Sequence, residues 1–243
     1  MRMLDLFSGI GGFSLAAQWV WGDDLEIIGL CEIEKYAQRV LQKNFPGVHI
    51  YEDITKLDGK DFKNVDLITG GFPCQDLSSS GKGAGIDGER SGLWSELHRI
   101  IGEVRPRYAL IENVPMLIHR GFERVLCDLT SSGYNCEWQI IGADDVDPPA
   151  PHRRKRIWIV AYLPDSASIG LHTKEDQQIV EGEGRGELQP VEPGSDWSDQ
   201  WTVEPGISRM AHGISHRVDR IKGIGNSICP QVSYEIMKLI KER

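Results

Sequence analysis

The sequence predicts an α/β fold with a doubly wound, mostly parallel β-sheet. Short apolar runs recur along residues 1–163, amphipathic segments separate most of them, and the first run ends in a glycine-rich turn. Runs of this length that alternate with helical segments are typical of crossover units, which place helices on both faces of a parallel sheet. A chain of 243 residues has room for one large domain of this kind and a small appendage.

The apolar runs are the predicted strands, and the predicted helices lie between and after them. The strands cover residues 3–7, 26–30, 48–51, 65–69, 108–114, 138–143 and 156–163. The helices cover residues 13–20, 33–44, 92–104, 119–131 and 230–242. In the second helix, apolar residues recur at three-four spacing from Ile33 to Leu41, as expected for an amphipathic helix that packs on a sheet.

Strand and helix periodicity stops after residue 163, where acidic residues become dominant. Residues 165–205 hold ten acidic and two basic side chains, whereas the rest of the chain holds 26 acidic and 25 basic ones. The net charge of −9 therefore lies almost entirely in this stretch, and an anionic partner is compatible with the remainder. We predict an α/β domain over 1–163, a short acidic insertion over 164–206, and a carboxyl-terminal segment over 207–243 that returns to the first domain.

The composition excludes several classes of protein. Hydrophobic residues at 40% and charged residues at 26% indicate an ordinary globular chain. The sequence contains no run close to the roughly 18 apolar residues that a membrane helix needs. Its five cysteines form no Cys-x-x-Cys pair, which fits neither a disulfide framework nor a zinc site. We expect a cytoplasmic, monomeric protein without a membrane or metal partner.

A glycine-rich turn and two acidic positions follow the first three predicted strands. The turn reads Asp5-Leu-Phe-Ser-Gly-Ile-Gly-Gly-Phe13, and its glycines and following helix suit the close approach of a nucleotide, although many such turns bind nothing. Glu32 stands where α/β sites place a carboxylate for ribose hydroxyls, or else it caps a helix. Asp53-Ile54 suits either an adenine ring or a simple turn.

The most informative segment is Gly70-Gly-Phe-Pro-Cys-Gln75, which follows the fourth predicted strand. Cys74 comes after a proline, on a polar loop at the sheet edge where open α/β folds keep their active sites. Glu112 ends the next strand at the same edge and is a suitable acid partner for a nucleophilic thiol. Taken alone, each residue has an ordinary alternative, a buried apolar cysteine and a surface glutamate.

Seven motifs in this order resemble those of the DNA cytosine-C5 methyltransferases. They are residues 5–13, Glu32, Asp53-Ile54, Gly70–Gln75 with its serine-rich loop, Glu112-Asn-Val114, His152-Arg-Arg-Lys-Arg156 and Gly225-Asn-Ser227. The sequence departs from the family pattern at two places. His152 stands where the family usually has glutamine, and the region that holds the target-recognition domain in relatives is short and acidic here.

The resemblance implies a Rossmann-like, S-adenosylmethionine-dependent methyltransferase. Residues 1–163 would form its catalytic and cofactor-binding domain, and residues 164–206 a very small target-recognition insertion. The implied reaction moves a methyl group from S-adenosylmethionine to C5 of a flipped-out cytosine in double-stranded DNA, through a covalent bond between Cys74 and C6. The small size suggests a phage or prophage enzyme, in the cytoplasm of a bacterium or an infected host.

The resemblance also implies the roles of particular residues. The catalytic set is Cys74, Glu112, Asn113, Arg154 and Arg156. The cofactor set is Phe7, Ser8, Gly9, Ile10, Gly11, Gly12, Glu32, Ile33, Asp53, Ile54, Gly71, Pro73, Leu93, Asn226 and Ser227. We expect DNA contacts from Gln75, Ser78, Ser80, Arg90, Arg209, Arg217 and Arg220. Two alternatives stay open, an RNA (tRNA) cytosine-C5 methyltransferase and a nucleic-acid-binding protein of the same fold that methylates nothing.

Overall fold

The computed structural model describes residues 1–73, 92–146, 152–164 and 217–243, without the side chains of 217–221. Residues 1–163 and 216–243 belong to one compact unit, so the carboxyl-terminal segment is part of the α/β domain. The predicted insertion over 164–206 lies outside the described residues except at Pro164, and the predicted division into domains stays a prediction.

Seven strands form a single sheet within the described residues. They are β1 (Arg2–Leu6), β2 (Glu26–Cys31), β3 (Ile50–Tyr51), β4 (Leu67–Gly70), β5 (Tyr108–Asn113), β6 (Asn135–Ile141) and β7 (Arg156–Tyr162). Their order is β3-β2-β1-β4-β5-β7-β6, and only β7 runs antiparallel to its neighbours. The chain reverses its direction across the sheet between β1 and β4, where open α/β folds form a ligand crevice.

The helices of the described residues follow the strands and cover the sheet. They are α1 (Gly12–Trp21), α2 (Lys35–Asn44), α3 (Gly92–Val104), α4 (Leu117–Arg120), α5 (Phe122–Ser131), α6 (Arg217–Asn226) and α7 (Pro230–Lys241). Three short 3-10 helices also occur, at Gly22–Asp24, Ile54–Lys56 and Gly59–Asp61. Helix α7 packs along α1, which brings the end of the chain back to its beginning.

Side chains alternate between the two faces of the sheet, and both faces carry helices. On β1, Leu4 and Leu6 join a buried cluster with Trp94 and Leu97 of α3. The intervening Asp5 points to the opposite face, where it accepts a hydrogen bond from the hydroxyl of Ser14 on α1. The structure thus confirms the predicted doubly wound, mostly parallel α/β fold.

Three elements differ from the sequence-based expectations. The helix predicted over 119–131 is broken at Gly121, whose φ of 142° ends α4 and starts α5. Ile33 precedes α2 instead of lying within it, and its side chain is exposed. Helix α6 was not predicted, because Gly223 and Gly225 lower the helix propensity of its second half.

The edge strand β6 also departs from the expected two-sided cover. It covers Asn135–Ile141 where the apolar run predicted residues 138–143, and most of its residues are exposed. Trp138 is 48% exposed and packs edge-on against Phe122 of α5. Pairing with β7 extends the strand toward its amino end, beyond the apolar run itself.

Among the described residues, no helix combines the length and the apolar character needed to cross a membrane.

Candidate active site

A cavity of about 290 Å³ lies at the carboxyl ends of the parallel strands. Each of the seven sequence motifs contributes at least one described residue to its lining. The predicted site residues that line it are Phe7, Gly9, Glu32, Ile33, Asp53, Ile54, Gly71, Pro73, Leu93, Glu112, Asn113, Arg154, Arg156 and Asn226. The fold therefore brings together one wall that suits a nucleoside and another that carries acid and base groups.

The glycine-rich turn after β1 is connected to Glu32 by a direct hydrogen bond. Phe7 and Gly9 have positive φ angles of 53° and 55°, and this conformation turns the backbone toward the end of β2. The Gly9 amide donates to one carboxylate oxygen of Glu32 at 2.8 Å, and the Glu34 amide donates to the other at 2.8 Å. These bonds hold the carboxylate at the cavity wall, where its remaining lone pairs can accept hydroxyl groups.

Asp5 supports this turn from within the protein. Its carboxyl accepts hydrogen bonds from the hydroxyls of Ser14 at 2.6 Å and Thr69 at 2.8 Å, which join β1 to α1 and β4. Burial raises the pKa of this carboxyl to about 6, and the two hydroxyls lower it in part. Asp5 lies under the turn and does not line the cavity.

Five residues assigned to the cofactor set do not line the cavity, namely Ser8, Ile10, Gly11, Gly12 and Ser227. The Ser8 hydroxyl donates to the Asp5 carbonyl at 2.7 Å and accepts from the Cys31 amide at 3.1 Å. A Cβ atom on Gly12 would lie 2.6 Å from Ile228, and one on Gly11 would overlap Phe45, so both glycines permit close packing.

Asp53 and Ile54 enter the cavity from the loop after β3. One oxygen of Asp53 accepts from the amide of Thr55 at 3.0 Å and from its hydroxyl at 2.7 Å, so it caps the 3-10 helix Ile54–Lys56. These hydrogen bonds lower the pKa of Asp53 and keep it ionised. Ile54 and Leu93, the latter from the first turn of α3, supply apolar surface to the same cavity.

An ion pair between Glu112 and Arg156 forms the second wall. The Arg156 Nε atom lies 2.9 Å from one Glu112 oxygen, and both side chains are largely buried. Burial raises the pKa of Glu112 from 4.5 to about 7, although the positive charges of Arg156 and Arg154 oppose this rise. A carboxyl with this pKa can either hold or release a proton near neutrality, which suits general acid-base work.

Asn113 and Gly71 hold the end of β4 against β5. The Asn113 amide donates to the Phe72 carbonyl at 3.1 Å, and its side-chain oxygen accepts from the Val114 amide at 2.8 Å. A Cβ atom on Gly71 would lie 3.0 Å from a Glu112 oxygen, which explains the glycine. Pro73, the residue before Cys74, lines the cavity.

Arg154 connects the basic motif to the last part of the chain. Its guanidinium donates to the carbonyls of Gly225, at 2.8 Å, and of Ser227. Its φ of 24° is rare for a residue with a side chain and is maintained by these contacts. Arg154 thus brings Asn226 to the cavity, in addition to contributing positive charge near Glu112.

Several lining residues were not singled out from the sequence. Lys222 of α6 lines the cavity and forms a 2.6 Å ion pair with Glu34, another lining residue. Cys31 at the end of β2 and Glu52 directly after β3 also line the cavity. Their positions at strand ends offered a signal for these two, whereas the contact of Lys222 depends on the unpredicted helix α6.

Part of the predicted site lies outside the described residues. This holds for the predicted nucleophile Cys74 and for Gln75, Ser78, Ser80, Arg90 and Arg209. Arg217 and Arg220 belong to α6, but their side chains are not described. Their roles stay predictions. The described part of the chain contains no group of three or more histidine, cysteine or acidic side chains that could hold a metal ion.

Comparisons with known proteins agree with this arrangement of motifs. The family model of the C-5 cytosine-specific DNA methylases matches residues 1–202. The Type II methyltransferase M2.BsuMI of Bacillus subtilis is 39% identical over 171 residues, which cover 67% of this chain and 42% of that protein. The chain spans about half the length of the curated relatives it matches.

Solved structures show the same fold. The S. pombe Dnmt2 methyltransferase superposes with a TM-score of 0.57 at 25% identity, covering 82% of this chain and 62% of that one. A putative DNA modification methyltransferase encoded in an E. coli prophage gives a TM-score of 0.54 at 28% identity, over 67% and 47% of the two chains. Because the family model matches most of this chain, the protein belongs to the C-5 cytosine-specific DNA methylase family.

Proposed function

We propose that this protein transfers a methyl group from S-adenosylmethionine to C5 of cytosine in double-stranded DNA. One observation carries the proposal: a single cavity holds the glycine-rich turn with Glu32, the Glu112–Arg156 pair, and the residue that precedes Cys74. The names of relatives such as M2.BsuMI and the prophage protein, a modification methyltransferase, support DNA as the substrate.

The residues of the first wall fit S-adenosylmethionine. The Glu32 carboxylate is held by two backbone amides and can accept the ribose hydroxyls. Asp53 can accept the adenine amino group, and Ile54 and Leu93 offer apolar surface to the adenine ring. When bound, the cofactor supplies an electrophilic methyl group on its sulfonium.

Cytosine C5 is a weak nucleophile, so the protein must first activate the ring. The Cys74 thiolate attacks C6 and forms an Sγ–C6 bond, while Glu112 donates a proton to N3 and Arg156 contacts O2. The electron pair that reaches C5 takes up the methyl group, and S-adenosylhomocysteine is left. A base then removes the C5 proton, the C5–C6 double bond re-forms, the thiolate leaves, and the N3 proton returns to Glu112.

Base stacking hides C6 in a duplex, so the cytosine must leave the helix before it can react. Flipping costs a few kcal/mol, which contacts with the extruded base and the surrounding DNA must offset. Arg153 and Lys155 are exposed and are the chain neighbours of the lining residues Arg154 and Arg156. Their positive charges suit contact with the DNA phosphate backbone while one base enters the cavity.

A trapping experiment tests the chemistry. In the presence of S-adenosylmethionine, duplex DNA with 5-fluorocytosine at target positions should form a covalent adduct with the wild-type protein, because after methyl transfer fluorine cannot leave C5 as a proton does. Cys74→Ser should form none, since a serine hydroxyl is far less acidic than a thiol. Cys127→Ser, at the exposed cysteine of α5, is the matched control and should trap DNA like the wild type.

Substrate and chemistry can fail separately in this test. Methyl transfer to tRNA but not to duplex DNA would replace DNA by RNA as the substrate and keep the mechanism. Transfer to DNA without a trapped adduct would contradict the covalent mechanism. An absence of transfer to either, with DNA still bound, would favour the nucleic-acid-binding alternative.

A further inference from the structure

A guanidinium on helix α3 reaches across to the loop that follows β3. Arg99 donates from Nη2 to the Ile54 carbonyl at 3.1 Å and from Nη1 to the Leu57 carbonyl at 3.0 Å. These carbonyls belong to the first residue of the 3-10 helix Ile54–Lys56 and to Leu57, which directly follows it. Arg99 lies 45 residues beyond Ile54 in the chain, so the contact joins separate elements.

Two carboxylates on α3 hold this guanidinium in place. Glu96 accepts from Nε at 2.9 Å and from Nη2 at 2.7 Å, and Glu103 accepts from Nη1 at 3.0 and 3.1 Å. Together with the two carbonyls, these acceptors occupy the five N–H donors of the arginine. A lysine cannot replace this set, because its three donors share one nitrogen atom.

Glu103 makes a contact of its own with the same loop. Its carboxylate accepts from the Gly59 amide at 2.8 Å, and a Cβ atom on Gly59 would lie 2.6 Å from the Glu103 Cβ. Glycine at position 59 is therefore what lets α3 and the loop approach this closely. Arg99 and Glu103 attach the loop to α3 at residues 54, 57 and 59.

The attached loop and the start of α3 both face the cavity. Asp53 and Ile54 line it from the loop, and Leu93 lines it from the first turn of α3. The contacts of Arg99 and Glu103 therefore join the two elements that carry Ile54 and Leu93. Neither Arg99 nor Glu103 lines the cavity itself.

We propose that Arg99, supported by Glu103, is a positioning residue that sets the width of the adenine part of the cofactor site. The inference rests on the proposed function, because it takes the ligand between Ile54 and Leu93 to be the adenine of S-adenosylmethionine. Arg99 acts through the loop and α3 and touches neither the cofactor nor the reacting base.

Hydrogen exchange of the ligand-free protein tests the attachment itself. Arg99→Met keeps the length and apolar stem of the side chain but removes its donors, so exchange at amides of residues 54–62 should accelerate by roughly 10-fold or more. Arg124→Met is the matched control, because it removes another i,i+4 arginine–carboxylate pair, with Asp128 on α5. The control should leave exchange in 54–62 unchanged, and equal exchange in wild type and Arg99→Met would overturn the proposal.

Calorimetry with S-adenosylhomocysteine then tests the positioning role. Arg99→Met should weaken binding about 10- to 100-fold, as expected when charge-assisted hydrogen bonds are removed, and Arg99→Lys should recover only part of the affinity. In methylation assays the KM for the cofactor should rise while kcat changes less than about threefold, since the reacting groups are untouched.

The outcomes separate this proposal from the proposed function. Wild-type protein that binds no S-adenosylhomocysteine would overturn the proposed function. Wild-type binding with the same affinity in Arg99→Met, or an equal loss in Arg124→Met, would overturn the inference about Arg99 alone. A fall in kcat without a change in the KM for the cofactor would also contradict it.

Discussion

At the scale of single residues, burial and charge act against each other on Glu112. Burial raises its pKa to about 7 despite the nearby guanidinium groups of Arg156 and Arg154. The result is a carboxyl that is partly protonated at neutral pH while it keeps an ion pair at 2.9 Å. In the proposed reaction, a group in this state would give a proton to N3 of cytosine and take it back in the same cycle.

Replacing this carboxyl should change both the rate of methyl transfer and its pH dependence. Glu112→Gln removes the proton donor and should lower kcat/KM by roughly 10²- to 10⁴-fold. In the wild type the protonated form is fully present well below pH 7 and is lost above it, so activity should decline on the alkaline side of the raised pKa. The variant should lack this alkaline decline.

The measurement is a pH profile of kcat/KM for both proteins. Glu123→Gln, at an exposed glutamate in the first turn of α5, is the control and should behave like the wild type. The same alkaline decline in Glu112→Gln would assign that ionisation to another group.

The raised pKa has a second consequence: the contribution of Glu112 to the free energy of unfolding falls as pH rises from 4.5 through 7.

Sequence reasoning reached Glu112 and Arg156 but not Arg99 or Lys222. Glu112 could be placed because the carboxyl ends of parallel strands meet at one edge. Arg156 was assigned through the resemblance of the basic motif, and the structure shows that it starts the strand paired with β5. Arg99 and Lys222 contact residues 45 and 188 positions away in the chain, across helix packing that apolar periodicity does not define. In the sequence, the spacing of Arg99 from Glu96 and Glu103 indicates only ion pairs within one helix.

At the scale of elements, strand existence was easier to predict than strand ends. All seven predicted strands occur, because buried strands of a parallel sheet need continuous apolar runs. The bounds of β6 were missed because pairing with β7, and not the apolar run, determines where this strand starts and ends. The break at Gly121 was missed because a single glycine in an amphipathic pattern is also compatible with a continuous helix. Glycine identity alone did not distinguish a break from a tolerated position.

Gly11, directly before α1, and Gly102, inside α3, should differ in how an alanine substitution changes the free energy of unfolding. Gly11 has a φ of 92° and packs under Phe45, so Gly11→Ala should lower the free energy of unfolding by about 1–3 kcal/mol. Gly102 lies inside α3 with open space at its Cβ position, and Gly102→Ala should raise it by roughly 0.5–1 kcal/mol.

Urea unfolding curves of the two variants and the wild type provide the comparison. Because the same substitution is made at both positions, general effects of an added methyl group cancel between them. Gly11→Ala should also weaken cofactor binding, since the turn that presents the Gly9 amide to Glu32 would shift. A stable Gly11→Ala protein with unchanged affinity would show that this close packing is not required.

At the scale of the whole molecule, total charge is a poor guide to the partner. The chain carries −9, but residues 165–205 hold ten acidic and two basic side chains, which leaves the remainder near neutrality. Exposed Arg153 and Lys155 belong to the same motif as Arg156, which pairs with the buried Glu112. The local field at the cavity entrance can therefore attract phosphates although the protein is acidic overall.

DNA binding should accordingly weaken steeply with salt, because each phosphate that the protein neutralises releases counterions whatever the total charge of the protein. Arg153→Gln combined with Lys155→Gln should make the plot of log K against log salt concentration shallower, by about one for each phosphate that the variant no longer neutralises. Lys60→Gln with Lys63→Gln is the matched control, since both lysines are exposed and Lys63 lies beside Arg2 at the opposite edge of the sheet. Fluorescence anisotropy with duplex DNA at several salt concentrations gives the slopes. A slope that falls in the control pair but not in Arg153→Gln/Lys155→Gln would put the DNA on the amino-terminal edge of the sheet, away from Glu112.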